Sequence, residues 1–219
     1  YDDRFVMMSE RDGYNHLYAY NLNGSLLKKV TQGKMVVKEF YGYNPNNGSY
    51  YYAANMADDP MHTAIYRTDK NGKTEKLSEE TGQHSALFSK GMKYYMDVYS
   101  NINTPFVTSL CNNNGKTLKV LEDNAQLKKK LASLNLGTRE FFSFTTGEGV
   151  KLNGYMVKPA DFNAQKKYPV ILFQYSGPGS QQVIDSWYAG NMGGALYEQY
   201  LAQKGFICVC VDGRGTGGR

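Results

Sequence analysis

The fold of the C-terminal part of this chain is decided by the stretch Tyr168-Pro169-Val170-Ile171-Leu172-Phe173-Gln174-Tyr175-Ser176-Gly177-Pro178-Gly179-Ser180. Five residues from Val170 predict a buried strand, and Pro169 stands where a strand begins without losing a ladder hydrogen bond. The glycines and proline after Tyr175 predict a sharp turn. Tyr175 is therefore expected between strand and turn, with its ring held and its hydroxyl free to project. In open α/β sheets, ligands bind at this end of a strand.

A helix and a second apolar strand follow this stretch. Residues 194–204 predict a helix that ends at Gly205. Its expected apolar face consists of Ala195, Leu196, Tyr200 and Leu201. Residues 206–211 are then continuously apolar. Strand, helix and strand with such runs predict a parallel sheet that is covered on both faces.

The first 121 residues repeat a pattern of short strands around three Asn-Gly pairs. The pairs are Asn23-Gly24, Asn71-Gly72 and Asn114-Gly115, and each predicts a tight hairpin turn between aromatic or β-branched strands. A period of roughly 40–50 residues with four strands per unit is typical of a β-propeller blade. Two units look complete, at about 34–80 and 81–121, and the first is cut at its start. An ordinary β-sandwich is the alternative.

A short helix is predicted between the repeats and the C-terminal part. Its leucines recur at helical spacing behind two possible capping residues, and it is expected to end near Gly137. The leucines are Leu127, Leu131 and Leu134, and the capping candidates are Asp123 and Asn124.

Composition excludes some classes of protein and leaves others open. The 219 residues are 41% hydrophobic, with 19 Tyr and 10 Phe, which favours a folded, β-rich chain. The net charge of +5 is mild, and its densest run, Lys128-Lys129-Lys130, has no interleaved aromatic residues, so no nucleic-acid binding is predicted. The chain contains neither a signal peptide nor a run of 18 apolar residues. Because it begins without Met and ends inside a glycine-rich motif, we expect a fragment, and the missing signal does not exclude export.

Few other residues indicate chemistry. The three histidines, His16, His62 and His84, are expected at the surface or at strand edges, and Cys208 and Cys210 as buried thiols. We predict neither a metal site nor a cofactor. No Gly-x-Ser-x-Gly occurs, so a nucleophile elbow is absent from these residues, and the turn serines Ser176 and Ser180 are not candidates.

The motif Asp212-Gly213-Arg214-Gly215-Thr216-Gly217-Gly218 follows the second apolar strand. Its spacing is not that of a dinucleotide-binding loop. A structural loop at the carboxyl end of the strand is the preferred interpretation. A nucleotide cradle, or a loop whose Arg214 contacts neighbouring active-site segments, remains an alternative.

Taken together, several segments make the chain resemble dipeptidyl peptidase IV of the prolyl oligopeptidase family, in the form found in Bacteroidetes-type bacteria. They are Ser9-Glu10-Arg11-Asp12-Gly13-Tyr14, Leu121-Glu122-Asp123-Asn124, Lys166-Lys167-Tyr168-Pro169, Tyr175-Ser176-Gly177-Pro178-Gly179-Ser180-Gln181 and Asp212-Gly213-Arg214-Gly215. The resemblance implies a multidomain β + α/β fold, with C-terminal blades of a β-propeller followed by the N-terminal part of an α/β-hydrolase domain. The expected domains are a partial propeller of about three blades at 1–122, a linker helix at 123–139 and the hydrolase part at 140–219.

The same resemblance implies a function. The parent protein is expected to be an exported serine exopeptidase, periplasmic or at the cell surface, that releases N-terminal dipeptides with Pro or Ala in second position through an acyl-enzyme. Tyr175 corresponds to the oxyanion donor of the family. The Ser-Asp-His triad is expected downstream and the amine-binding glutamates upstream, so the fragment itself is expected to be inactive. Peptide substrates and a possible homodimer of the full-length protein are the implied partners.

Two alternatives remain. One is an endo-acting prolyl oligopeptidase or an acylaminoacyl peptidase. The other is a catalytically dead propeller-hydrolase protein that binds partners.

Overall fold

The computed structural model describes residues 1, 3–175, 177, 179–187 and 195–217. These residues form two compact units, Tyr1–Tyr99 with Val107–Asp123, and Ser100–Phe106 with Asn124–Gly217. The described chain is mostly β-sheet. The domain limits at residues 122 and 139 stay a prediction.

Strands that follow one another along the first half of the chain are also neighbours in its sheets. The first group is a three-stranded antiparallel sheet of β1 (Arg4–Ser9), β2 (His16–Asn21) and β3 (Leu26–Lys29). The second is β4 (Met35–Asn44), β5 (Ser49–Met56), β6 (Asp59–Thr68) and β7 (Thr74–Lys76). The third is β8 (Gln83–Phe88), β9 (Tyr94–Asn101), β10 (Thr104–Asn112) and β11 (Thr117–Glu122). A bridge between Thr63 and Gln83 joins the second and third groups. Successive four-stranded meanders are consistent with the predicted β-propeller blades.

The three Asn-Gly pairs form turns of one type. Gly24, Gly72 and Gly115 all have left-handed φ angles, between +86° and +88°. Each glycine N–H donates to the carbonyl oxygen three residues earlier, at 2.9–3.1 Å. This is the geometry of a three-residue hairpin loop with its glycine in the left-handed region, where other residues are strained. The predicted tight turns are therefore confirmed.

Strand β5 is buried on both faces. Its consecutive residues Tyr50, Tyr51 and Tyr52 are each at most 1% exposed. Because side chains alternate along a strand, Tyr50 and Tyr52 pack in one apolar cluster with Leu17, whereas Tyr51 packs in another with Tyr95. A single strand thus contributes to the cores on both of its sides.

The prediction that the histidines lie at the surface or at edges is wrong for His16 and His84, which are 1% and 3% exposed. The Nδ1 atom of His16 lies 3.0 Å from Oγ1 of Thr31. The Nδ1 atom of His84 lies 3.0 Å from both carboxylate oxygens of Asp97. Partners on other segments satisfy these imidazoles, so burial costs little.

The second unit contains a four-stranded mixed sheet in the order β12 (Arg139–Thr145), β13 (Lys151–Val157), β15 (Ile207–Val211) and β14 (Val170–Phe173). Only the β14–β15 pair is parallel, and the other two pairs are antiparallel. The predicted parallel sheet is therefore confirmed for this pair alone.

The prediction that the strand from Val170 is buried on both faces is wrong. Val170 and Leu172 are 60% and 64% exposed. Strand β14 lies at the edge of the sheet, and no described residue covers the face that these two side chains form. An apolar run identifies a strand, but it does not say which faces other elements cover.

The first helix, α1 (Ala125–Ala132), is shorter than predicted and ends before Gly137. Its last turn tightens at Ser133, whose N–H and hydroxyl both donate to the carbonyl oxygen of Lys130. Asn124 stands at the N-cap position but makes no side-chain cap. Its amide donates instead to the carbonyl oxygen of Phe106, so Asn124 occupies the predicted position without capping the helix through its side chain.

The second helix, α2 (Ala195–Gln203), is close to its predicted bounds, but its predicted apolar face is wrong. Leu196 and Tyr200 are 60% and 54% exposed, whereas Glu198 and Ala202 are buried. The face of the helix that carries Glu198 packs against the sheet. The reason is that the carboxylate of Glu198 has buried partners there, Tyr155 on β13 and Arg139 on β12.

Candidate functional site

The two parallel strands end together at one edge of the sheet in the second unit. In their register Phe173 lies opposite Cys210, so β14 and β15 end at the same level of the sheet, and a loop leaves the sheet after each of them. We call this place the strand-end edge. In α/β proteins the loops at such an edge carry ligand sites.

Tyr175 lies at the strand-end edge, two residues beyond β14, and is 57% exposed. Its ring lies over the backbone of Gly177. A Cβ atom placed on Gly177 would be 3.0 Å from both Cε1 and Oη of Tyr175. The absence of a side chain at residue 177 therefore lets the ring adopt this position. The catalytic role of Tyr175 stays a prediction.

A turn follows Tyr175, as its sequence predicts. The N–H of Ser180 donates to the carbonyl oxygen of Gly177 at 3.0 Å, and Gly179 has a left-handed φ of +75°. The hydroxyl of Ser180 lies 2.8 Å from the carbonyl oxygen of Gly177 and 3.2 Å from that of Tyr175, so its one proton is shared between these two acceptors. Ser176 and Pro178 lie outside the described residues. Ser180 thus closes the turn, a structural role that agrees with its exclusion as a nucleophile.

The loop after β15 packs against this turn. The N–H of Gly217 donates to the carbonyl oxygen of Ser180 at 3.1 Å. A Cβ atom on Gly217 would lie only 2.6 Å from the carbonyl oxygen of Gly179. The two loops therefore meet backbone to backbone, and the contact requires glycine at residue 217.

This packing predicts different effects for two glycines of one loop. Gly217→Ala is expected to lower the free energy of unfolding by about 1–3 kcal/mol, because its Cβ would overlap the backbone of Gly179. Gly215→Ala is the matched control, since a Cβ there meets nothing within 4 Å, and we expect a change within about 0.5 kcal/mol. Urea unfolding measures both values. Equal stability of the two variants would contradict the close contact.

Asp212 joins the same two loops at their base. It is 3% exposed, and its Oδ1 and Oδ2 accept the backbone N–H groups of Gln182 (2.9 Å) and Val183 (3.0 Å). The neighbouring Arg214 is exposed and forms an ion pair with Glu148 at 2.9 Å, in the turn between β12 and β13. These contacts agree with the preferred interpretation of this motif as a structural loop.

Arg139, Tyr155 and Glu198 form a buried polar cluster that was not predicted from the sequence. The hydroxyl of Tyr155 donates to Oε1 of Glu198 at 2.7 Å, and Nη2 of Arg139 lies 3.4 Å from Oε2 of Glu198. The guanidinium also stacks on the ring of Tyr155, 4.5 Å from its centre. Burial raises the pKa of both the Tyr155 phenol and the Glu198 carboxyl. A glutamate among the apolar residues of α2 was the signal available in the sequence.

A cavity of about 310 Å³ lies in the second unit, beside this cluster. Its walls are mainly apolar, from residues such as Ile102, Leu131, Leu136 and Trp187. Among the described residues that line it there is no serine, cysteine, histidine or carboxylate. The described lining residues therefore offer neither a Ser, Cys or His nucleophile nor a carboxylate base, and their charged groups are Lys128 and Arg139.

The cysteines and the acidic residues do not form a metal site in the described part of the chain. No group of three or more His, Cys, Asp or Glu side chains that could hold a metal ion occurs there. Cys208 and Cys210 are buried free thiols, as predicted, and burial raises the pKa of each to about 11. Such thiols are poor nucleophiles at neutral pH. Neither described helix has the length and apolar character needed to cross a membrane.

Comparison with known proteins points to one family. Residues 1–106 match the model of the dipeptidyl peptidase IV N-terminal region. Dipeptidyl aminopeptidase B of Saccharomyces cerevisiae is 31% identical over 236 residues, which cover 94% of this chain and 27% of that protein. The crystal structure of Porphyromonas gingivalis dipeptidyl peptidase 4 matches with a TM-score of 0.90 at 39% identity, over 98% of this chain and 29% of that one.

These matches confirm the resemblance to dipeptidyl peptidase IV that the sequence predicts. They extend over nearly the whole chain, including the strand-end edge. The chain spans between a quarter and a third of the length of these relatives.

Proposed function

Because this chain is a segment of a dipeptidyl peptidase IV family member, we propose that the protein to which it belongs is a serine exopeptidase. It releases N-terminal dipeptides with Pro, or less well Ala, in second position. The relatives are named dipeptidyl peptidases or aminopeptidases, which supports peptide substrates. The single observation that carries the proposal is the position of Tyr175, exposed at the end of a parallel strand on a loop that a second loop holds in place.

The proposed role of Tyr175 follows from the chemistry of acyl transfer. Attack on the scissile carbonyl builds negative charge on its oxygen, and a positioned phenol donates a hydrogen bond to that oxygen. The second donor is the backbone N–H after the nucleophile, as in other hydrolases of this fold. The mixed sheet with its β14–α2–β15 crossover supports the N-terminal part of an α/β-hydrolase domain.

The remaining parts of the proposal rest on the family resemblance. The nucleophilic Ser and its Asp and His partners lie outside these 219 residues, which contain no Gly-x-Ser-x-Gly. The chain alone is therefore proposed to be inactive. Export to the periplasm or cell surface and a homodimer of the full-length protein complete the proposal.

Two chromogenic substrates test this function in the full-length protein. Gly-Pro-p-nitroanilide has a free amine, and its N-acetylated form does not. We expect hydrolysis of the free form at least about 100-fold faster, because the site discriminates by binding the amine. Comparable hydrolysis of both would indicate an endo-acting or acylaminoacyl peptidase. Hydrolysis of neither substrate would indicate a catalytically dead binding protein.

A further inference from the structure

We propose that Asp212 is a positioning residue for catalysis, which acts by holding the loop that carries Tyr175. The inference rests on the proposed function of Tyr175 as oxyanion donor. The two carboxylate oxygens of Asp212 accept the backbone N–H groups of Gln182 and Val183. Its effect on the reaction is therefore indirect, through the backbone between the two loops.

The carboxylate of Asp212 is built into the base of the strand-end edge. It directly follows β15, and its own N–H donates to the carbonyl oxygen of Asn153 at 3.0 Å, which ties it to β13. Its two oxygens each accept one backbone N–H, from Gln182 and from Val183. Val183 is fully buried, so the loop after Tyr175 is anchored to the sheet at this point. Hydrogen bonds to a charged acceptor are about twice as strong as neutral ones.

Short stretches of backbone and two further hydrogen bonds join this anchor to Tyr175. The loop that begins at Asp212 donates from Gly217 to the carbonyl oxygen of Ser180. The hydroxyl of Ser180 in turn donates to the carbonyl oxygen of Tyr175. The turn is thus held on both sides, at Gln182 and Val183 by the carboxylate and at Ser180 by Gly217. Loss of the carboxylate frees one of these attachments.

The N–H groups of Gln182 and Val183 each need an acceptor, so both carboxylate oxygens of Asp212 are required. In Asp212→Asn an NH2 group replaces one of the two oxygens. This group is a donor, so it cannot accept the N–H of Gln182 or Val183 that it faces. The variant has nearly the same shape, so it breaks one attachment without creating a cavity. A displacement of about 1 Å of a catalytic group costs up to about 100-fold in rate. We therefore expect kcat to fall by about 10–100-fold with little change in KM.

A double-mutant cycle in the full-length protein distinguishes positioning from a general loss of structure. Asp212→Asn and Tyr175→Phe are made singly and together, and kcat and KM are measured on Gly-Pro-p-nitroanilide. If Asp212 acts through the phenol of Tyr175, Asp212→Asn lowers kcat by less than about 3-fold once that hydroxyl is gone. The same loss in both backgrounds would overturn the inference. Wild-type kcat in Tyr175→Phe alone would instead overturn the proposed function.

Two further variants complete this design. Arg214→Gln changes an exposed side chain of the same loop, whose ion pair with Glu148 is on the surface, and should leave kcat within about 2-fold in both backgrounds. If Asp212→Asn does not fold, Ser180→Ala removes another step of the same path and is combined with Tyr175→Phe in the same way. Additive losses in that cycle would also overturn the inference.

Discussion

Tyr175→Phe is expected to lower kcat of the full-length protein by about 10²–10³-fold, with KM nearly unchanged. The substitution removes one hydroxyl that donates to the oxyanion only when charge develops on it, and loss of one such donor has an effect of this size. Because the interaction forms in the transition state, kcat and kcat/KM fall together. Steady-state hydrolysis of Gly-Pro-p-nitroanilide measures both constants.

The expected loss is specific to the position of the phenol. The ring remains in Tyr175→Phe and still fits over Gly177, so the loop geometry is retained. Tyr200→Phe is the matched control, since it removes the same hydroxyl from a tyrosine that is 54% exposed on α2, and its kcat should stay within about 2-fold of wild type. A Tyr175→Phe enzyme that retains more than a third of the wild-type kcat would exclude the oxyanion role.

Some features could be predicted because one residue type satisfies a local requirement. The Asn-Gly turns are examples, since Gly24, Gly72 and Gly115 occupy a backbone region that other residues adopt only under strain. Strand alternation similarly accounts for Tyr50 and Tyr51, which belong to different clusters although they are adjacent in sequence. The position of Tyr175 after β14 is local in the same sense, because it depends on a strand followed by a turn.

Other features depend on partners that are distant in sequence. Glu198 is buried because Tyr155, 43 positions away, donates to it, and no helical periodicity contains that information. His84 is buried for the same reason, with Asp97 on a neighbouring strand. At the candidate site, the attachment of Asp212 to Val183 joins segments 29 positions apart. The sequence therefore identifies the candidate residue but not the contacts that hold its loop.

Arg139→Met is expected to lower the free energy of unfolding by about 3–5 kcal/mol, because it leaves the buried Glu198 carboxylate without its cation. Glu198 and Arg139 are 2% and 6% exposed, so water does not replace the lost partner. Urea unfolding of the chain at pH 7 measures this value. The fluorescence of Trp187 is a suitable probe, since it is the single tryptophan of the sequence and lies in the second unit.

The double variant Arg139→Met/Glu198→Gln separates the charge from the loss of packing. The amide that replaces the Glu198 carboxylate carries no charge and can still accept a hydrogen bond from the hydroxyl of Tyr155, so we expect the double variant to be more stable than Arg139→Met.

In Arg139→Met the folded-state pKa of Glu198 rises further, since burial already raises it and the opposing cation is gone. A raised folded-state pKa means that stability falls as pH increases from the unfolded value of about 4.3. The deficit of Arg139→Met should therefore be largest at neutral pH and shrink toward pH 4, whereas the double variant, which lacks the carboxyl, loses no stability from this ionisation over the same range. A deficit independent of pH would show that Arg139 contributes by packing against Tyr155 and not by its charge.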